Sequence, residues 1–113
     1  MRKKTSTLNC VNDMAKTAYI AGKISGLDIE QARAKFEFAE QHLTEKGYTV
    51  INPMKLPHNH DKSWEAYMKE CVAAMVYADV VYLLPCWHLS DGARIEKDIA
   101  HKLKINVKLF VES

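Results

Sequence analysis

"DVVYLLPCWHLSDGARIE", residues 79–96, decides the fold. Val80–Leu84 is an unbroken apolar run that halts at Pro85. A run of that kind reads as a central parallel strand, buried on both faces. A polar loop follows, and from Asp91 to about Lys104 the apolar residues recur at helical spacing. The segment is therefore a strand, a loop and a helix, half of a parallel βαβ unit.

The same alternation extends outward in both directions. "TAYIAG", 17–22, reads as a buried strand ending at a glycine, and "GKISG" as the loop after it. Asp28 is placed to cap a long helix whose apolar positions are Ile29, Ala32, Phe36, Ala39 and Leu43, closed by Gly47. "YTVI", 48–51, is a short strand ended by Asn52 and Pro53. A loop with Pro57, His58, His60 and Asp61 leads to a second helix from Ser63, with an apolar stripe of Trp64, Tyr67, Met68, Cys71, Val72 and Met75. "NVKLFV", 106–111, is the last strand.

The pattern β-α-β-α-β-α-β predicts an α/β, flavodoxin-like three-layer sandwich. Right-handed crossovers favour the strand order 2-1-3-4. Residues 17–113 form one domain in this reading, and the polar, aperiodic residues 1–16 a flexible tail. In such sheets ligands bind beyond the carboxyl ends of the strands, where the strand order reverses. "GKISG" and "PCWHLSDG" meet at that place.

Composition narrows the function. The chain has 113 residues, 48% of them hydrophobic, and a net charge of +2. That charge is too small to argue for a nucleic acid polymer. No apolar stretch reaches the length of a membrane span, and the basic start lacks the apolar core of a secretion signal. Three cysteines, Cys10, Cys71 and Cys86, without a C-x-x-C spacing suit free thiols in a reducing, cytoplasmic setting. His58, His60, Asp61, Cys86 and His88 match no strong metal pattern, so neither metal nor cofactor is expected. "GKISG" is neither a P-loop nor G-x-G-x-x-G.

Glu96 is the residue that stands out. The inward face of the third helix should hold Gly92, Ile95, Glu96, Ile99, Ala100 and Leu103, with a carboxylate in the middle of an apolar stripe. Burying it is costly unless it is paired or hydrogen-bonded. Two readings stay open: a functional carboxylate, or a side chain that swings out to pair with Arg94 or a lysine. Ser90 and Asp91 read as helix caps at an end that also suits an anion. Tyr19 is either core or a hydroxyl aimed at a ligand. Trp64 reads as core; Trp87, in the loop, reads as a ligand contact.

"AYIAGKISG", "YTVINP" and "ADVVYLLPCWHLSDGARIEKDIAHKL" together resemble the nucleoside 2-deoxyribosyltransferase-like superfamily, across residues 17–110. The likeness is closest to a branch with L-P-G-W-x-x-S-x-G-A-x-x-E-x-x-x-A, in the superfamily that includes the 2'-deoxynucleoside 5'-phosphate N-glycosidases. The resemblance implies a homo-oligomer acting on a nucleoside or its 5'-monophosphate. It implies Glu96 as nucleophile, Tyr19 as its positioner, Ser90 as a phosphate contact and Gly92 at the sugar pocket. Gly22, Ser25, Gly26, Asn52, Trp87 and His88 complete the candidate substrate-binding set. Many relatives carry an aspartate about where Cys71 stands, and Cys86 replaces a glycine. With Glu70 facing away, Asp91 becomes the candidate acid. The expected activity is cleavage or transfer of the N-glycosidic bond of a 2'-deoxynucleoside. The rival is a nucleotide-binding module that uses the same pocket without turnover.

Overall fold

The computed structural model describes residues 15–57 and 63–111. Most of the expected tail lies outside them, as do His58, His60 and Asp61.

The apolar run becomes β3 (Val80–Leu83), every residue of it buried. It lies in a four-stranded parallel sheet between β1 (Thr17–Ala21) and β4 (Asn106–Leu109), with β2 (Thr49–Ile51) on the far side of β1. The order is 2-1-3-4, as the sequence predicts.

Three helices cover the sheet: α1 (Ile29–Glu45), α2 (Trp64–Met75) and α3 (Asp91–Lys102). Their starts follow the sequence closely. The side chains of Asp28, Ser63 and Ser90 each accept from a backbone N–H of the first turn, those of Gln31, Ala66 and Ala93. Each cap satisfies one of the donors a helix start leaves without an intrahelical partner. Past the end of α1, Gly47 has φ +101°, the left-handed conformation that glycine adopts without strain.

Strand alternation divides the core into two layers. Ala18, Ile20, Val80, Tyr82 and Leu84 face α1 and pack on Phe36, Ala39 and Leu43. Tyr19, Ala21, Val81 and Leu83 face the other way, onto Cys71 and Met75 of α2 and Ala93 and Ala100 of α3.

The structure departs from the sequence reading in three places. Two 3-10 turns, Pro53–Lys55 and Trp87–Leu89, occupy segments read as loops. Trp64 is not core: it begins α2 and is 42% exposed. On α3, Ile95 and Leu103 are exposed, and the buried face is Gly92, Ala93, Glu96 and Ala100. Small residues let α3 lie close to the sheet, which carries Glu96 inward rather than to the stripe's edge. No helix among the described residues is long and apolar enough to cross a membrane.

Candidate active site

Parallel strands deliver their carboxyl ends to one edge of the sheet, so the loop after β1 and the loop after β3 lie side by side. The Leu84 N–H donates to the Ala21 carbonyl at 2.8 Å where the two loops begin. Gly22 sits at that join, and a Cβ there would meet the Leu84 Cδ1 at 2.7 Å. The close approach explains the glycine that ends β1.

Tyr19 points from β1 into the α2/α3 layer, fully buried. Glu96 reaches the same point from the second turn of α3 and is 5% exposed. The Tyr19 hydroxyl donates to Glu96 Oε2 at 2.6 Å, a charge-assisted length when the carboxyl is ionised. Arg94 does not pair with Glu96; it binds Asp91 and the His88 carbonyl instead. The swung-out reading of Glu96 is thereby excluded.

Burial pushes the Glu96 carboxyl up to about 7, and the Tyr19 hydrogen bond opposes that rise. Tyr19 is held well above its ordinary value, by burial first and then by the carboxylate. Cys71 of α2 is pushed up to about 11 by burial and by the Glu96 charge, against hydrogen bonds from Tyr19 and Tyr67. Burial raises Tyr67 as well, with smaller contributions from Cys71 and Glu96. The four side chains form one polar cluster inside an otherwise apolar layer.

A cleft of about 30 Å³ opens over this cluster, with Gly22, Ser25, Trp64, Met68, Ser90 and Gly92 around it. That is room for about one water. A neighbouring hollow of about 140 Å³ shares Ser25, Trp64, Ser90 and Gly92 and adds Lys23, Leu89 and Asp91. Met68 stands against Gly92, where a Cβ would lie 2.9 Å from its sulfur.

The predicted site residues divide accordingly. Tyr19, Glu96, Gly22, Ser25, Ser90 and Gly92 line the cleft, and Asp91 lines the hollow beside it. Ser90 also caps α3 through its Oγ. Gly26, Asn52, Trp87 and His88 line neither space. The Asn52 side chain caps the first 3-10 turn and donates to Glu40, and the Trp87 ring packs on the core beneath Lys97. Trp64 and Tyr67 line the cleft and Lys23 the hollow, although nothing local in the sequence marks them as site residues. Trp64 and Tyr67 were hidden in the α2 stripe, because periodicity alone does not show where a helix face passes the end of the sheet.

Larger hollows lie elsewhere. One of about 480 Å³, walled by Phe38, Leu84, Pro85, Leu109 and Phe110, offers only Lys35 and Cys86 as polar or reactive side chains. The small cleft, not the large groove, gathers groups able to orient and attack a substrate.

Comparison with known proteins gives the family of the chain. No curated protein matches the chain. A solved structure described as a 2-deoxyribosyltransferase from the psychrotolerant bacterium Bacillus psychrosaccharolyticus superposes with a TM-score of 0.65 and 26% identity. The match covers 83% of this chain and 71% of that one. Residues 16–109 match the family described as a domain of unknown function, DUF4406. The chain belongs to the DUF4406 family and is similar in structure to a 2-deoxyribosyltransferase.

Proposed function

We propose that this protein cleaves or transfers the N-glycosidic bond of a 2'-deoxynucleoside or its 5'-monophosphate, with Glu96 as the nucleophile. The observation that carries the reading is the buried Tyr19–Glu96 pair at the carboxyl end of the sheet. The similarity to a 2-deoxyribosyltransferase supports it.

In this mechanism Glu96 attacks the anomeric carbon and the base departs, leaving a glycosyl ester on the enzyme. Water then returns the carboxylate and releases the sugar; a second base gives transfer instead. The missing 2'-hydroxyl eases formation of the cationic transition state. Glu96 must be ionised to attack, and the Tyr19 hydroxyl stabilises that form. Ser90, Ser25 and the start of α3 face the hollow where the 5' end of the sugar would lie. The working unit in this proposal is the domain 17–113 in the cytoplasm, assembled as a homo-oligomer.

A second reading, binding without turnover, is favoured by one feature. Among the described residues, Tyr67 and Cys71 face the cleft where an acid for the leaving base would stand. Chromatography of free base after incubation with deoxynucleosides and their monophosphates separates the two. Release that disappears in Glu96→Gln supports catalysis; nucleotide binding with no release supports the module.

A further inference from the structure

If the glycosidic chemistry proposed above holds, the lining of the cleft restricts which base can leave. Among the described residues around it, Glu96 is the one carboxyl group, and it is committed to attack. The other side chains carrying an exchangeable proton are the hydroxyls of Tyr19, Ser25, Tyr67 and Ser90, the thiol of Cys71 and the Trp64 indole N–H, which is far too weak an acid to serve. Tyr19 already donates to Glu96. Burial makes Cys71 and Tyr67 poorer acids than they are in water. Asp91 lies outside the cleft, exposed and paired with Arg94. None of these groups suits the protonation of a neutral base near neutral pH.

The charge and shape of the cleft point the same way independently. Its described lining contains no lysine or arginine, one carboxyl group, and three aromatic side chains, Tyr19, Trp64 and Tyr67. Aromatic faces beside a carboxylate favour a cation. Trp64 is exposed at the rim, free to stack on a flat ring.

We infer that the preferred substrate is a deoxynucleoside whose base already bears a positive charge, an N-alkylated purine or a pyridinium. Such a base needs no proton to leave. Glu96 forms a bond to the anomeric carbon as the carbon–nitrogen bond breaks, and the electron pair of that bond neutralises the ring. The base departs uncharged. Water then bonds to the anomeric carbon, the ester electron pair returns to Glu96, and the water's proton passes to solvent.

The test compares the full chain on two pairs of substrates, with Glu96→Gln as the blank for spontaneous loss. The pairs are 7-methyl-2'-deoxyguanosine with 2'-deoxyguanosine, and nicotinamide 2'-deoxyriboside with thymidine. We expect kcat/KM for at least one cationic compound to exceed its neutral partner by ~100-fold or more, the lower end of what a positioned acid contributes. Which compound responds identifies the class of base. Comparable kcat/KM within both pairs overturns this inference while leaving the glycosidase reading in place. No release from any of the four overturns both. As a second variant, Cys71→Asp places a carboxyl beside the leaving base. It should raise turnover of the neutral compounds and narrow the preference; an undiminished preference in an active variant counts against the inference.

Discussion

Neighbouring residues of β1, Tyr19 and Ile20, face opposite layers and meet opposite environments. Ile20 joins Tyr82 and Leu84 against Phe36, Ala39 and Leu43 of α1, where side-chain packing is apolar and close. Polar contacts on that side lie at the layer's margin, where the hydroxyls of Tyr48 and Tyr82 lie 3.0 Å apart and Asn52 donates to Glu40. Tyr19 carries its hydroxyl instead into a layer that holds Glu96, Cys71 and Tyr67. The α1 layer stabilises the sheet. The α2/α3 layer carries a carboxyl group whose burial opposes its ionisation. Burying a carboxyl group opposes folding, and apolar packing of the kind seen in the α1 layer favours it.

Substitutions break this comparison most sharply at its two poles. Glu96→Gln should abolish base release, measured by chromatography, while leaving the fold intact by circular dichroism. Phe36→Ala, in the opposite layer, should destabilise the protein by about 3–5 kcal/mol in urea unfolding, the usual cost of deleting a buried phenyl ring. Loss of activity in that variant should track loss of folded protein.

The next effect is on pH dependence. Glu96 sits at about 7 in the folded chain against an ordinary carboxyl value of 4.5. Because the folded value is raised, the folded state holds the proton more tightly. The stability contributed by this group is full below about 4.5 and is lost as pH rises through about 7, by about 3 kcal/mol at most. Glu96→Gln should remove this dependence and unfold later than the parent at pH 8 in thermal scans. Activity should run the opposite way and rise through about pH 7, since attack needs the ionised form. Tyr19→Phe deletes the hydrogen bond that lowers Glu96, so the activity profile should move to higher pH. A profile left in place would show that Tyr19 does not tune the carboxyl. The smallest expected effect is at the margin of the α1 layer. Tyr48→Phe removes one hydroxyl of a part-buried pair and should cost about 1 kcal/mol, with no shift of the pH profile.

The contrast between the layers was partly legible before any coordinates. The apolar run at 80–84, the caps at Asp28, Ser63 and Ser90 and the glycine at 47 are local signals, and each fell where its chemistry placed it. Glu96 was legible as a carboxyl group inside an apolar stripe. Its tyrosine partner was not legible from spacing, because the two lie 77 residues apart and meet only through the sheet. The exchange of roles between Trp64 and Trp87 has a similar origin. The 3-10 turn at 87–89 is too short to show a period, and it folds the Trp87 ring back onto the core. Trp64 follows the stripe of α2 but begins the helix at the rim of the cleft, beyond the edge of the core.

The central claim is that Glu96 becomes covalently bonded to the sugar. The direct measurement is the intact mass of the protein quenched during turnover of a deoxynucleoside that releases base, followed by peptide mapping. The account predicts a deoxyribosyl adduct on Glu96, absent from Glu96→Gln. Base release with no adduct on Glu96, or with an adduct on another residue, would contradict it.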